Sequence, residues 1–266
     1  ITRKDGQQSH DVLLKGHEAL CVIPHRGGMS AEGIGDGAGV NIDISLKFFR
    51  KVLGSDSIEL GEFGVANFFF PEDHSKDDKA KKIIEDALQK FGLKVLKWRD
   101  VPVNNKAVNE AAAKAQTPIY QLIFARPANC ETQIEFENII NDALNEIELA
   151  GYGDPELKGF YPMSMSSRTI VYKGRLNSSE VVPYFQDLSD LDMEIRVFLF
   201  HTRFSTNTAP ATFMAQPFRR MAHNGELNTD KKNRLSEDAI AKQKNKKVIF
   251  PKGQSDSARL DQTLQR

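Results

Sequence analysis

The sequence predicts a layered domain of the mixed α+β class. Two segments, 80–91 and 132–149, carry apolar residues at helical spacing over several turns. Short, strongly apolar segments typical of buried strands lie before and between them. Strands and helices do not alternate in a steady β-α-β rhythm, so the sequence favours an α+β arrangement over a doubly wound parallel sheet.

The N-terminal part predicts a helix, a glycine-rich turn region, and a strand followed by a short helix. Apolar residues between 12 and 22 recur at roughly helical spacing, and Pro24 is expected to end this helix. Six glycines between Gly27 and Gly39 indicate tight turns in which the backbone passes close to a neighbour. The alternation that begins at residue 40 is typical of a strand, and the apolar residues up to 53 favour a short helix.

The middle of the chain predicts further strands around the two long helices. In order, the segments are 63–71 (strand), 80–91 (helix), 94–103 (strand), 119–127 (strand) and 132–149 (helix). The Ala-rich stretch 107–116 fits either a surface helix or a loop. Each strand segment is short and apolar, which is expected of strands that lie inside a layered fold.

The last part of the chain is rich in strand-like segments and ends in a polar one. Residues 160–167, 168–174 and 193–205 predict three strands. The segment 231–247 is rich in Lys and Arg and poor in apolar residues, so a solvated loop is expected there. A phosphate-binding strip is the minor alternative for that segment.

Composition excludes several classes of protein. The 266 residues allow one large domain or two small ones, and 36 basic residues balance 36 acidic ones. This balance argues against a nucleic-acid partner, because such proteins neutralise phosphates with an excess of Lys and Arg. No apolar run approaches the roughly 20 residues that span a bilayer, and the first ten residues lack the apolar region of a signal peptide. A soluble chain in the cytoplasm is expected.

Scattered histidines and two cysteines give no sign of a metal site or a disulfide framework. Cys21 lies on the apolar face of the first predicted helix, so a buried structural thiol is expected, and Cys130 is interpreted in the same way. Gly33, Gly35 and Ala38 match the dinucleotide pattern G-x-G-x-x-A. They precede a strand pattern instead of opening a helix, so a backbone-rich loop that lines a pocket is favoured.

The segment 201–229 is the strongest candidate for a functional site. It begins at the end of an apolar strand, and it is dense in groups that suit a small anionic ligand: Arg203, Thr206, Asn224, the Gly225 N–H and Asn228. Asn-Gly by itself could be a type I′ turn. The arginine upstream and the motif GQSDS (253–257) downstream favour a binding site.

The motifs HTRFSTNT, AQPFR and AHNGE, with NT two residues further on, resemble the glutaminase domain of glutamate synthase large subunits. That domain is a class II glutamine amidotransferase. Other motifs of the family occur in the same order: HRGG and GDGAGV (25–40), WRDVPV (98–103), SSRTIVYKG (166–174) and GQSDS (253–257). The resemblance therefore covers nearly the whole chain.

The resemblance implies a single class II amidotransferase domain over 1–266 with the N-terminal-nucleophile hydrolase fold. That fold is a four-layer αββα sandwich, with two antiparallel sheets between helical layers. The implied reaction is hydrolysis of the glutamine side-chain amide to glutamate and ammonia. A synthase domain of the same polypeptide or a partner subunit would use the ammonia to make glutamate from 2-oxoglutarate. No cofactor is implied for this chain, since FMN and the iron–sulfur cluster belong to the synthase region.

The resemblance also assigns substrate-binding residues. Arg203 matches the arginine that holds the glutamine α-carboxylate, a planar anion that suits a guanidinium fork. Asp256 matches the carboxylate that pairs with the substrate ammonium. Thr206 is expected to help seat the substrate. Arg26 and the glycines of 35–39 are expected in the wall that faces the nucleophile.

The catalytic groups implied by the resemblance are only partly present in the sequence. The Asn224 side chain and the Gly225 N–H match the oxyanion hole. The family's nucleophile is an N-terminal Cys whose α-amino group is the general base, and alignment places it about five residues before Ile1. Cys21 does not replace it, being in mid-helix without a free amine. The domain is therefore expected to be incomplete at both ends, and the alternative is a catalytically inactive glutamine-binding or regulatory module.

Overall fold

The structure is a computed structural model that describes residues 1–202, 211–223, 227, 231–250 and 254–265. Within these residues the strands are β1 (Ala38–Asp43), β2 (Phe63–Phe69), β3 (Lys94–Asp100), β4 (Ile119–Ala125), β5 (Tyr161–Ser166), β6 (Thr169–Gly174) and β7 (Phe198–His201). The helices are α1 (His10–Val22), α2 (Leu46–Leu53), α3 (Asp77–Lys90), α4 (Glu110–Lys114), α5 (Gln133–Gly153), α6 (Val181–Tyr184), α7 (Lys231–Gln243) and α8 (Asp256–Gln265).

The described strands form two antiparallel sheets. One sheet has the order β6-β1-β7, and the other has the order β3-β4-β2-β5. The sheets face each other, since the side-chain amide of Asn67 on β2 donates to the Val171 carbonyl of β6 across 2.9 Å. Both groups are buried, so this bond joins the two layers in the interior.

Helices cover the outer faces of both sheets. On the three-stranded sheet, Gly16 of α1 lies directly against the ring of Phe198 in β7, so any β-carbon at residue 16 would overlap the ring. On the four-stranded sheet, α3 and α5 share an apolar core with β2, β4 and β5, where the rings of Phe124 and Phe136 lie 6.0 Å apart. The result is the αββα layering expected from the sequence.

The long amphipathic helices occur where periodicity predicts them, because each buries an apolar face. Ile84 of α3 and Ile140 of α5 are completely buried against the four-stranded sheet. The α5 helix begins at a capping box in which Thr132 and Glu135 satisfy each other's backbone N–H groups. The Ala-rich stretch 107–116 contributes only the short helix α4.

Two predictions about the later chain are wrong. The segment 231–247, expected to be a loop, contains the helix α7, whose buried residue is Glu237, and Glu237 accepts a 2.6 Å bond from the Thr263 hydroxyl of α8. Of the strand expected over 193–205, the described part pairs as β7 only over Phe198–His201. Asp43 explains the late start, since its carboxylate accepts the backbone N–H groups of Arg196 and Val197.

The cysteines differ from each other in a way that the sequence did not predict. Cys21 is exposed on α1, with its sulfur 3.7 Å from the His17 ring, so the expectation of a buried thiol is wrong for this residue. Cys130 is buried, as expected, and its thiol donates to the Thr132 carbonyl. Among the described residues, no helix is long and apolar enough to cross a membrane.

Candidate active site

The residues that flank the predicted substrate-binding and catalytic residues show where the candidate site lies. Arg203, Thr206, Asn224 and Gly225 lie outside the described residues. Arg26 and Asp256 lie within them, as do the residues immediately before Arg203 and Asn224. Their contacts show which segments of the chain meet at this place.

The end of β7 touches the residue that precedes Asn224. The His201 ring nitrogen Nε2 lies 2.8 Å from the His223 carbonyl oxygen. A carbonyl oxygen only accepts, so His201 carries its proton on Nε2. The backbone N–H of His223 donates to Gln216 Oε1 across 3.2 Å. The HTR motif and the AHNGE motif, 22 residues apart, are therefore neighbours in space.

The same histidine connects to the GQSDS motif. His223 Nε2 lies 2.6 Å from the hydroxyl oxygen of Ser257. Ser257 in turn donates to Asp256 Oδ1 from its backbone N–H at 2.7 Å and from its hydroxyl at 3.3 Å. Asp256 is the first residue of α8 and is half-buried. No described residue bonds to its other carboxylate oxygen, Oδ2.

The HRGG motif lies beside the end of β7. Arg26 is exposed in a single helical turn, Pro24–Arg26, that continues into Gly27. A β-carbon on Gly27 would lie 3.1 Å from the Thr202 carbonyl oxygen, so the two backbones nearly touch. The expected position of Arg26 next to the site is consistent with this contact.

The second half of the glycine cluster packs against the AQPFR motif. Gly37 has a φ of +151°, and a β-carbon there would lie 2.8 Å from the side chain of Ala215. Gly35 lies directly against the backbone of Leu176, which leaves no room for a side chain. The segment leads into β1 and not into a helix, so the structure gives no support to a dinucleotide fingerprint.

A buried ion cluster supports the loop that carries the AHNGE motif. The Arg219 guanidinium contacts Glu148 of α5 at 2.8 Å and Asp261 of α8 at 3.3 Å. Burial by itself lowers the pKa of Arg219, and the two carboxylates outweigh it and hold that pKa above its ordinary value. Asp261 also accepts the backbone N–H groups of Arg220 and Met221. The loop is thus fixed to α5 and α8 at once.

Two further contacts hold this loop against the three-stranded sheet. The side-chain amide of Asn41 on β1 donates to the carbonyls of Phe218 and Arg219 at 3.2 and 3.3 Å. Lys173 of β6, which is 1% exposed, donates to the Phe213 carbonyl at 2.8 Å. Burial lowers the pKa of Lys173 to about 7, although the Asp261 carboxylate acts in the opposite direction.

Several residues of this region were not singled out from the sequence. Glu148 and Asp261 lie on helices whose pattern gives no hint of a buried carboxylate, so no sequence signal would have found them. His201 and His223 stand inside the recognised motifs, next to the proposed ligands, and their position was the available signal. Their contacts become visible only when the three segments are brought together.

Other motif residues have a structural task away from this site. The Asp187 carboxylate accepts from Arg99 at 2.5 Å and from the Tyr172 hydroxyl at 3.0 Å, all within the interior. Burial raises the pKa of Asp187 although Arg99 opposes the shift. The motifs WRDVPV and SSRTIVYKG thus meet in a buried ion pair. In the part of the chain that the structure describes, no group of three His, Cys, Asp or Glu could hold a metal ion.

Comparisons with known proteins agree with this geometry. A family model described as glutamine amidotransferases class II matches residues 1–265. The chain belongs to this family. It is 34% identical to the NADH glutamate synthase of Saccharomyces cerevisiae, with all of the chain and 13% of that protein covered.

Other relatives in the same family are glutamate synthases from bacteria and plants. The chain is 35% identical to the large chain of the NADPH glutamate synthase of Bacillus subtilis, with 84% of the chain and 15% of that protein covered. It is also 35% identical to ferredoxin-dependent glutamate synthase 1 of Arabidopsis thaliana, with 86% of the chain and 14% of that protein covered. The chain thus spans a small fraction of the length of the curated relatives that it matches.

Proposed function

We propose that the intact protein hydrolyses the side-chain amide of glutamine to glutamate and ammonia, and that residues 1–266 form its amidotransferase domain. The ammonia is then used for glutamate synthesis from 2-oxoglutarate by a synthase domain of the same polypeptide or by a partner subunit. Membership of the class II family and similarity to three glutamate synthases support this proposal.

One observation carries the proposal: three segments that are distant in sequence meet at one point. His201 at the end of β7 contacts His223, and His223 contacts Ser257, which bonds to Asp256. Each contact lies one or two residues from a proposed ligand. Such a meeting of polar groups at the end of a strand is expected of a substrate site.

The register of the first residues indicates where a nucleophile would enter. Ile1 exchanges backbone hydrogen bonds with Phe198 at 2.9 and 3.0 Å, and Thr2 pairs with Val197, both antiparallel to β7. A segment before Ile1 that continues this ladder would run toward the end of β7. A Cys about five residues upstream would then reach the site, where its thiol attacks the amide carbon and its own α-amino group takes the proton.

Charge complementarity would hold the substrate. Arg203 binds the α-carboxylate through its guanidinium fork, and Asp256 binds the α-ammonium. Asp256 Oδ1 already accepts two bonds from Ser257, which orients the carboxylate before substrate arrives. Thr206 completes the seat, and Arg26 lies in the wall opposite the nucleophile.

The oxyanion that forms during the attack needs donors that are already in place. Asn224 supplies a side-chain N–H and Gly225 a backbone N–H. Removing one such donor typically lowers the rate by about 10²–10³. Both act on charge that exists only in the transition state, so their loss affects kcat more than KM.

The remaining chemistry belongs outside this chain. FMN and an iron–sulfur cluster are expected in the synthase region of the full-length protein. We expect the protein to act in the cytoplasm, with glutamine and the synthase region as its partners and without a nucleic-acid or membrane partner.

The proposal is tested on the intact polypeptide from its native source. After N-terminal sequencing, glutaminase kinetics are compared for the wild type, Arg203→Ala and Asn224→Ala. We expect Arg203→Ala to raise KM strongly and Asn224→Ala to lower kcat by about 10²-fold with a smaller change in KM. Arg3→Ala is the control, since Arg3 is exposed and pairs only with the neighbouring Asp5 among the described residues.

Two results would contradict the proposal. An intact polypeptide that begins with Cys and binds glutamine in calorimetry without releasing ammonia is not a glutaminase. An intact polypeptide without that Cys, whose glutamine affinity nevertheless depends on Arg203, is the inactive glutamine-binding module.

A further inference from the structure

His223 contacts three different segments of the chain, through its backbone N–H, its backbone carbonyl and its ring nitrogen Nε2. Its N–H donates to Gln216, its carbonyl accepts from His201, and its Nε2 contacts Ser257. These partners belong to the loop before the AHNGE motif, to the end of β7 and to the first turn of α8.

The direction of the bonds on the α8 side is fixed by chemistry. A carboxylate only accepts, so the Ser257 hydroxyl donates its single proton to Asp256 Oδ1. The Ser257 oxygen then accepts the 2.6 Å bond from His223, which carries its proton on Nε2. A directed chain therefore runs from the imidazole through one hydroxyl to the carboxylate that is proposed to bind the substrate ammonium.

The contact on the backbone side holds the carbonyl that directly precedes the proposed oxyanion donors in the sequence. The His223 carbonyl and the N–H of the next residue belong to one planar peptide unit. His201 holds that carbonyl at 2.8 Å and thereby fixes its orientation. Gln216 restrains the other side of the same residue.

We propose that His223 is a positioning residue that aligns the oxyanion donors at 224–225 with the Asp256 carboxylate. It touches neither the substrate nor the reacting atoms and acts through Ser257 on one side and through its own peptide unit on the other. This inference rests on the proposed glutaminase function, and it adds the residue that keeps the oxyanion donors and the Asp256 carboxylate aligned with each other.

The test is steady-state glutamine hydrolysis by the intact polypeptide with three substitutions. His223→Ala should lower kcat and raise KM, each by tenfold or more, because a displacement of about 1 Å at a reacting centre can cost about 10²-fold. Ser257→Ala should raise KM about tenfold with kcat within threefold of the wild type, since it breaks only the branch to Asp256. His223→Gln should recover most of the activity, because its amide can donate from nearly the same place as Nε2.

The controls separate positioning from folding and from the proposed function. His10→Gln alters another partly buried histidine, whose Nδ1 lies 3.2 Å from the Met193 carbonyl away from the motifs, and it should leave both constants unchanged. Thermal unfolding identifies any variant that fails to fold, and Ser257→Ala keeps the test valid if His223→Ala is one of them. Glutamine affinity by calorimetry tests the Asp256 branch independently of turnover.

An active wild type with unchanged constants in Ser257→Ala and His223→Ala would overturn the inference and leave the proposed function intact. The inference also fails if a folded His223→Gln is as impaired as His223→Ala. A Cys-initiated wild type that releases no ammonia contradicts the proposed function itself, and the glutamine affinity of Ser257→Ala still decides whether His223 and Ser257 orient Asp256.

Discussion

Two buried ion clusters in the described part of the chain differ in charge and in what they connect. In the first, one carboxylate, Asp187, faces one guanidinium, Arg99, and the Tyr172 hydroxyl. It joins strands β3 and β6 to a turn beside the core. The carboxylate and the guanidinium balance each other, yet burial still raises the pKa of Asp187.

The second cluster has one guanidinium, Arg219, between two carboxylates, Glu148 and Asp261. Neutral hydrogen-bond donors compensate for the excess of negative charge. Gln262 donates to Glu148 at 2.8 Å, and two backbone N–H groups donate to Asp261. It joins a loop, and not a strand, to the helices α5 and α8. The region beside the site is thus held by polar bonds between a loop and two helices. The rest of the domain is held by paired strands and apolar cores.

The largest effect is expected at the Arg219 cluster. Arg219→Met keeps the apolar stem but removes the guanidinium that contacts both Glu148 and Asp261 in the interior, so we expect a loss of about 5 kcal/mol in the free energy of unfolding. Urea unfolding of the chain measures it. Arg196→Met is the matched control, because its pair with Asp43 is 40% exposed on the arginine side and should contribute less than about 1 kcal/mol. Equal losses in the two variants would contradict the comparison.

A smaller effect is expected at the balanced cluster. Arg99→Met leaves only Asp187 unpaired, and we expect a loss of about 3 kcal/mol near pH 8. Without Arg99 the folded pKa of Asp187 rises further above its unfolded value, so the penalty exists above the folded pKa and is relieved as pH falls toward it. The difference in the free energy of unfolding between Arg99→Met and the wild type should therefore become smaller from pH 8 to pH 5. In an Asp187→Asn background, the difference in the free energy of unfolding between Arg99 and Arg99→Met should be independent of pH, and a constant difference between the wild type and Arg99→Met would refute this account.

The smallest effect concerns Lys173, a buried amine whose pKa responds to Asp261 and Arg219 of the second cluster. Lys173 has a folded pKa of about 7, against an unfolded value of about 10.4. Between these values the unfolded chain binds more protons, so stability rises with pH by about 1 kcal/mol for each pH unit. Lys173→Met should remove this part of the slope in urea unfolding at pH 7, 8 and 9. A variant with the slope of the wild type would show that Lys173 is charged in both states or neutral in both.

Much of the fold was predictable because its signals are local. An apolar face that repeats every three to four residues marks α3 and α5 wherever they pack, and short apolar runs mark β2 and β4. The predictions failed where a polar contact replaced the apolar one. α7 is a helix without an apolar face, and β7 starts late because the Asp43 carboxylate takes two N–H groups before it. Cys21 is exposed although its neighbours in sequence are apolar.

The sequence by itself determined the family, since motifs in a fixed order identify a family without any knowledge of distances. Periodicity by itself predicted a layered α+β domain, and the αββα order of the layers was implied by the family resemblance. Only the tertiary structure decided that His201, His223 and Ser257 form one connected chain. It alone decided, too, that Arg219 lies between two carboxylates. Hydrogen bonds and ion pairs act over about 3 Å between residues far apart in sequence, and residue order does not specify such contacts.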